Sequence, residues 1–173
     1  DTMGPWFQPT TWPCVWFNLN AQLTYWCAAD ANRLDLGESL IGRLDRYREN
    51  LVANMPAKFK GECAGFYTTC PQDLTSPWAM QSLGDLPWAM HNYWLFLRRS
   101  MDERRMREQF FPTLKLAINT YLHLVQEGAD GRLHIEPTFS PEYGVAPDTN
   151  YNLALLRWGC ATLVELCARF GLD

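Results

Sequence analysis

Hydrophobic residues recur at spacings of three and four over much of the chain, which is the period of an α-helix with one buried face. The first run of this kind begins at Asn18. Residues 1–17 precede it and hold three prolines and Gly4, so we expect an extended N-terminal segment there. The apolar face of the first predicted helix consists of Leu19, Leu23, Trp26 and Cys27.

A second helix is predicted to begin at Asp35 as its N-cap, with Glu38 three residues later completing a capping box. It should end at about Asn54, before Pro56. A third helix is predicted in GDLPWAMHNYWLFLRRS, where Asp85 is placed to cap and Pro87 suits the first turn.

A fourth helix should extend from about Asp102 to Gln126, with a kink or a fresh start at Pro112. EGADGR, residues 127–132, predicts a turn. The last helix should begin at Asp148 or Thr149 and carry apolar residues on one face. These are Leu153, Leu156, Cys160, Leu163, Val164 and Cys167.

Two long stretches, 55–82 and 133–150, show no helical pattern and contain several Gly and Pro residues. Connections of that length in a compact domain often belong to a binding site. No convincing strand alternation is present. The sequence therefore predicts an all-α fold of about five helices arranged in helical hairpins, within one domain over 1–173.

The composition indicates a globular protein with 47% hydrophobic and 20% charged residues. Its net charge is −4 and it has no basic run, which argues against nucleic acid as a partner. No apolar run approaches the roughly 20 residues of a membrane span, so no membrane partner is expected. The chain holds 8 Trp, 7 Tyr and 9 Phe, which suit either a heavy core or an aromatic cleft for a ligand such as a sugar.

The six cysteines contain no CxxC pair and only three histidines are present, so we expect no metal and no cofactor. Cys160 and Cys167 lie seven residues apart and are expected to be packed thiols. Cys63 and Cys70 flank a short loop and would be able to pair in an oxidising compartment.

Two neutral amides stand among aromatic residues in WFNLNAQLTYW, residues 16–26. A buried amide without a partner costs about 1–3 kcal/mol, so Asn18 and Asn20 need a role. Either they cap the following helix, or they hold a polar ligand or a water molecule against an aromatic floor.

The best candidate for a general acid is Glu142 in FSPEYG, because burial near aromatic rings favours the protonated form of a carboxyl group. The alternative is a solvated loop glutamate, and Glu136 and Asp148 are nearby competitors. His91 lies between Trp88 and Trp94 and suits a hydrogen-bonded core position as well as a catalytic one. No phosphate-binding loop, GxSxG or HExxH motif is present.

Three segments together resemble glycoside hydrolase family 95, the α-L-fucosidase and α-L-galactosidase family. NLNAQLTYW resembles its NINxQMNYW signature, and GRLHIEPTFSPEYG resembles its GxLvxxPSxSPEN loop. Between them, PWAMHNYWLFLRRSMDERRMREQFFPTLKLAINTYLHLV resembles its paired-Trp helices with a YPLLK-like motif. The three segments occur in the family's order and span most of residues 12–170.

The resemblance implies an (α/α)6 toroid and hydrolysis with inversion at the anomeric centre. Glu142 would be the general acid, while Asn18 and Asn20 would hold the attacking water together with a carboxylate further along the family's chain. The pocket lining implied is Trp16, Trp26, Trp88, His91 and Asn92. Because the family's partner carboxylate lies in the second half of the toroid, we expect this chain to be a partial toroid. It would then self-associate or pack on a missing C-terminal half, and alone it should be a poor enzyme.

Two departures from the family pattern concern the sugar. Trp16 stands where relatives tend to have a polar residue, and Asn92 stands where they usually have His. Glycoside chemistry on an α-L-fucoside or a related α-linked sugar remains the leading hypothesis, in a periplasmic or secreted protein. The alternatives are a non-catalytic carbohydrate-binding domain, a helical interaction domain, or another (α/α) toroid family such as the α-L-rhamnosidases.

Overall fold

The computed structural model describes residues 15–59 and 61–172. Most of the predicted extended segment 1–17 lies outside the described residues. The α-helices are α1 (Asn20–Asp30), α2 (Leu34–Arg46), α3 (Arg48–Ala53), α4 (Asp85–Ser100), α5 (Glu103–Arg105), α6 (Phe111–Leu122) and α7 (Asn150–Phe170). The strands are β1 (Val15–Trp16), β2 (Thr69–Cys70), β3 (Val125–Glu127), β4 (Leu133–Ile135), β5 (Thr138–Ser140) and β6 (Gly144–Ala146).

Helix α4 lies at the centre of the fold and contacts α1, α2, α6 and α7. Its apolar side chains are buried on several faces, which explains why apolar residues predominate between Leu86 and Leu97. They are Leu86, Ala89, Met90, Tyr93, Trp94, Phe96 and Leu97. The prediction of an all-α fold is confirmed, since helices form the whole framework of the described residues.

The predicted capping box at Asp35 is wrong. The N-cap position of α2 is Arg33, two residues before Asp35, and the carboxylate of Asp35 binds the guanidinium of Arg33 with both oxygens, at 2.9 and 2.8 Å. Glu38 does not turn back to the helix start; it binds Arg105 of α5, which also donates to Asp45. The long predicted helix is also interrupted, since Tyr47 separates α2 from α3.

Asp85 is not a cap either. Gly84 occupies the N-cap position of α4 without a side-chain bond, and Asp85 turns its carboxylate inward to Thr68. The break expected at Pro112 takes the form of a π-helical turn, Met106–Phe110, which leads into α6 with Pro112 in its first turn. The helix predicted to reach Gln126 ends at Leu122, and the chain continues into β3.

The second long loop is more regular than expected. Antiparallel pairing joins β3 to β4 across the predicted turn, and β5 to β6 across the turn that carries Glu142. β1 pairs with β2 and so ties the chain before α1 to the first long loop. Strands of two or three residues show no alternation long enough to predict.

Helices α6 and α7 pack closely because Gly159 has no side chain. A Cβ atom there would lie 2.2 Å from Cδ1 of Ile118. Cys63 is a free, buried thiol, so the pairing with Cys70 is not formed. Among residues 15–59 and 61–172, no helix combines the length and apolarity needed to cross a membrane.

Candidate active site

A groove of about 280 Å³ lies where three segments meet. One is β1 with the turn that follows it, another is the first long loop, and the third is the β5–β6 hairpin. Aromatic rings form much of the lining, with amide and hydroxyl groups between them, a mixture typical of sites for small polar ligands. The lining residues are Trp16, Asn18, Tyr67, Thr68, Gln81, Phe139 and Val145.

The turn that places Asn18 in this groove has an unusual backbone. Leu19, the N-cap residue of α1, has φ +113°, a region that side-chain-bearing residues rarely adopt. The Oδ1 atom of Asn18 is shielded from solvent and has no hydrogen-bond partner within the described part of the chain. Neither asparagine caps the helix with its side chain, so the capping interpretation of Asn18 and Asn20 is wrong.

Gln22 secures this turn from beneath. Its side chain is fully buried, and its Nε2 donates to the carbonyls of Phe17 and Asp85 at 2.6 and 3.1 Å. Its Oε1 accepts the N–H of Leu19 at 3.3 Å. One buried amide therefore satisfies backbone groups on both sides of Asn18.

Glu142 lies in the turn of the β5–β6 hairpin, with φ +63° and an exposed side chain. Its neighbour Tyr143 is 96% exposed. The hairpin's stem contributes Phe139 and Val145 to the groove. The structure thus brings Trp16 and Asn18 to the same groove as the hairpin that carries Glu142.

A second buried amide, Asn152 of α7, holds the stem of that hairpin. It is fully buried, and its Nδ2 donates to the hydroxyls of Thr138 and Thr149 at 2.8 and 2.9 Å. Its Oδ1 accepts the hydroxyl of Tyr121 at 2.8 Å. These bonds fix the hairpin to the start of α7.

A buried carboxylic acid lies behind the groove wall. Asp85 is 2% exposed and accepts the hydroxyl of Thr68 at 2.8 Å. Burial raises the pKa of Asp85 well above its ordinary value, although hydrogen bonds from Thr68 and Ser82 oppose the rise. Its enclosure separates it from any ligand in the groove, so its role here is to hold Thr68 and Ser82.

The other predicted aromatic contacts form a separate cluster. Trp26 meets Trp88 and His91 edge-on, at ring-centroid distances of 6.5 and 6.3 Å, and His91 meets Trp158 at 5.0 Å. Burial lowers the pKa of His91, so its imidazole is neutral at pH 7. None of these rings belongs to the groove lining, and their predicted role as sugar contacts stays a prediction.

Asn92 is placed differently from the expectation of a pocket residue. It is 5% exposed, and its Nδ2 donates to the carbonyl of Gln22 at 2.9 Å. Asn20, by contrast, is exposed as the first residue of α1. Asn92 therefore serves the α1–α4 interface in this structure, and its predicted contact with substrate stays a prediction.

Sequence reasoning missed Tyr67 and Gln81, whose side chains bond to each other at 2.6 Å in the groove wall. The length of the 55–82 loop was the available signal for a binding site there. It also missed Gln22 and Asn152, because a single amide on a helix carries no recognisable pattern. No group of three or more His, Cys, Asp or Glu side chains suited to a metal occurs in the described parts of the chain.

A comparison with known families agrees with the resemblance noted in the sequence. The family model described as the glycosyl hydrolase family 95 catalytic domain matches residues 3–169. This match confirms the resemblance noted in the sequence, and the family is one of (α/α)6 toroids. The comparison with curated proteins finds no match.

Proposed function

Because the chain belongs to glycoside hydrolase family 95, we propose that it acts on an α-L-fucoside or a related α-linked sugar and inverts the anomeric centre. The observation that supports this proposal is the shared groove. Trp16 and Asn18 line it on one side, and the stem of the hairpin that carries Glu142 lines it on the other. A glycan is accordingly the expected substrate.

In the proposed reaction, Glu142 donates its proton to the glycosidic oxygen as the bond from that oxygen to the anomeric carbon breaks. Asn18 and Asn20 orient a water molecule whose oxygen bonds to the anomeric carbon from the opposite face. A second carboxylate accepts the proton of that water. Inversion requires about 6.5–9.5 Å between the two carboxyl groups, which leaves room for the water.

Neutral amides suit the task assigned to Asn18 and Asn20. They orient a water molecule by hydrogen bonds without competing with the base for its proton. Asp85 is not a candidate for the second carboxylate, because Thr68 and the groove wall enclose it. In our proposal the base comes from the part of the toroid that packs against these helices.

Exposed apolar side chains on α1 and α7 support this packing. Trp26 is 42% exposed, Leu23 47% and Val164 70%. Apolar side chains of this size on neighbouring helices suit burial against further helices, either a C-terminal half or another copy of the chain. Sedimentation analysis of this chain tests the proposal, which predicts self-association that disappears when Trp26 and Val164 are replaced by Ser.

Trp16 bears on which sugar binds, because its aromatic ring stands where relatives in the family tend to have a polar residue. An aromatic ring favours the apolar face and methyl group of a 6-deoxy sugar such as L-fucose. Titration with L-fucose and L-galactose, followed by Trp fluorescence, compares the two, and we expect tighter binding of L-fucose.

A non-catalytic carbohydrate-binding or helical interaction domain is the second candidate. The exposure of Glu142 favours it, because a general acid works best where neighbouring groups shield it from water. A binding domain keeps its sugar affinity when Glu142 is replaced, whereas an interaction domain shows no sugar-dependent fluorescence change.

The decisive experiment is Glu142→Gln. We expect hydrolysis of a fucosylated oligosaccharide to fall about 10²–10⁴-fold, the usual contribution of a general acid. An aryl α-L-fucoside should lose less, because its leaving group needs less protonation. Glu136→Gln is the matched control, since Glu136 is also exposed and only bonds to Gln126.

Where the unchanged chain hydrolyses the oligosaccharide, an equal rate for Glu142→Gln would refute the assignment. Proton NMR of the first product resolves the stereochemistry, and a β-L-sugar is expected. We further propose that the protein works in the periplasm or outside the cell, which fractionation with an antibody against this chain tests.

A further inference from the structure

We propose that Gln22 is a positioning residue that fixes the orientation of Asn18 for catalysis, and that Asn92 supports it from α4. This inference rests on the proposed function for the role of Asn18. It adds a residue that has no contact with the groove and acts only through the turn above it.

The hydrogen bonds of Gln22 hold both peptide groups that flank Asn18. The carbonyl of Phe17 belongs to the peptide bond that enters Asn18, and the N–H of Leu19 belongs to the one that leaves it. Gln22 bonds the first at 2.6 Å and the second at 3.3 Å. The orientation of Asn18 between these two peptides is therefore set by a single side chain.

The backbone at this turn needs such support. A side-chain-bearing residue at φ +113° persists only where its surroundings determine the conformation, and such strain gathers at functional sites. Without the bond from Leu19 to Gln22, the N–H of Leu19 would lose its partner and the backbone would relax toward a commoner conformation.

Gln22 is itself held from α4. The carbonyl of Asp85, at the start of α4, accepts its second N–H at 3.1 Å. Asn92, two turns later on the same helix, donates to the backbone carbonyl of Gln22 at 2.9 Å. The position of the turn is thus tied to the central helix of the fold, independently of any substrate.

Two substitutions separate the hydrogen bonds from the volume of the side chain. Gln22→Met fills similar space and removes all three side-chain bonds. Gln22→Glu keeps an acceptor and loses both donors at neutral pH, whereas its protonated form at low pH donates one bond again. Ile118→Val, in the α6–α7 contact, is the control for a small loss of core packing far from the turn.

Amide hydrogen exchange gives a readout that does not depend on activity. In Gln22→Met, we expect the exchange protection of Leu19 to fall at least about tenfold more than that of α6, because the opening is local. Gln22→Glu keeps the acceptor of the Leu19 N–H but loses the donors to Phe17 and Asp85, so we expect a smaller loss of protection at neutral pH, which is reversed as the pH is lowered. Ile118→Val should leave Leu19 unchanged relative to α6.

Kinetics then test the coupling to Asn18. A small misplacement of a reacting group lowers the reaction rate by up to about 10²-fold. The kcat of Gln22→Met should therefore fall about 10–100-fold, with little change in KM. In an Asn18→Ala background, Gln22→Met should cause no further loss, because the residue it positions is gone. An equal loss in both backgrounds would overturn the proposal.

The two levels of hypothesis fail differently. If Asn18→Ala and Glu142→Gln both leave hydrolysis intact, the proposed function is wrong. If those variants are inactive but Gln22→Met keeps both full kcat and the exchange protection of Leu19, the function stands and the positioning role is refuted. If the chain shows no turnover at all, unchanged protection of Leu19 in Gln22→Met still refutes the positioning role, and lost protection supports it.

Discussion

The candidate site has two ends, the turn that holds Asn18 (the amide end) and the β5–β6 hairpin that carries Glu142 (the acid end), which are supported alike but differ in how firmly the residue itself is held. A fully buried amide supports each: Gln22 beneath the turn of Asn18, and Asn152 beneath the β5–β6 hairpin. Gln22 bonds the two peptides that flank Asn18 itself. Asn152 bonds Thr138 and Thr149, which flank the hairpin, and leaves Glu142 exposed at its turn.

The difference suits the two chemical tasks that we propose for these ends. Residues that orient a water molecule need fixed geometry, because hydrogen bonds lose strength when they are misaligned. A general acid must reach the leaving oxygen of a glycan that enters and departs, and a hairpin fixed only at its stem allows that movement. The comparison therefore predicts a rigid amide end and an acid end that becomes ordered when substrate or a packing partner covers it.

The largest effect should come from Asn152→Leu, which fits the space but leaves the hydroxyls of Tyr121, Thr138 and Thr149 without their partner. Each unsatisfied buried group costs about 1–3 kcal/mol, so we expect a loss of about 2–5 kcal/mol in the free energy of unfolding. Urea denaturation measures it.

Exchange experiments on the same variant should show lost protection at Thr138 and Ser140, while Leu19 keeps its own. Simultaneous loss at Leu19 would show that the two ends are one cooperative unit, contrary to the comparison. Asn119→Leu is the matched control, since the amide of Asn119 makes only an exposed bond to the carbonyl of Glu62.

The next effect concerns the strain at Leu19. Ala at a positive φ keeps the strain, whereas Gly relieves it at the cost of a more flexible unfolded chain. We expect Leu19→Gly to be more stable than Leu19→Ala by about 1 kcal/mol, measured by urea denaturation. Within a helix Ala is ordinarily more stable than Gly. Ala28→Gly in the body of α1 is the control for this ordinary order and should lower the free energy of unfolding by about 1 kcal/mol. A more stable Leu19→Ala would mean that the turn is unstrained.

The sequence predicted the framework of the fold because long amphipathic helices have a clear period. Helix α4 and helix α7 were both located to within a few residues of their starts. The caps failed at Asp35 and Asp85 for different reasons. An exposed neighbour two residues away, Arg33, binds the carboxylate of Asp35. The carboxylate of Asp85 instead accepts from the buried hydroxyl of Thr68, a tertiary partner for which local capping rules contain no term.

The two motifs were the signal that the structure brings together, since Asn18 and the stem of the hairpin with the SPE loop line one groove, while their chemical roles stay predictions. The supports were not predictable, because Gln22 and Asn152 act through bonds to backbone groups that only the folded chain brings within reach. Asn92 shows the converse problem. It stands where family members usually have His, which suggested a pocket residue, whereas in the structure its side chain donates to the carbonyl of Gln22 on α1.

The smallest effect is a dependence on pH at the acid end. His134 in β4 bonds Asp148 through Nδ1 at 2.6 Å and Asp130 through Nε2 at 3.0 Å. Asp148 also accepts the N–H of Ile135, just before the hairpin begins. The bond to Asp148 first, and that to Asp130 second, raise the pKa of His134 above its ordinary value of 6.5. Bonds to His134 lower the pKa of both carboxyls below 3.8.

The direction of the pH effect follows from these shifts. Because the folded pKa of His134 is raised, its contribution is complete below about pH 6.5 and is lost as the pH rises through the folded value. Because the pKa values of the carboxyls are depressed, their contribution is complete above about pH 4 and is lost as the pH falls through their folded values. The bonds therefore stabilise the fold most between about pH 4 and 6.5, and they do so modestly because all three groups are solvated.

His134→Gln should accordingly lower Tm most within that window and least at a pH above the raised pKa of His134, where the imidazole is neutral. The control is His123→Gln, because the ring of His123 lies 3.4 Å from the carboxylate of Glu62 and has no bond to the β5–β6 hairpin among the described residues. Exchange protection in the β5–β6 hairpin should follow the same pH profile, while that of Leu19 should not. A hairpin whose protection ignores His134 at every pH would mean that Asn152 alone secures the acid end, which would make the two ends of the site more alike than we propose.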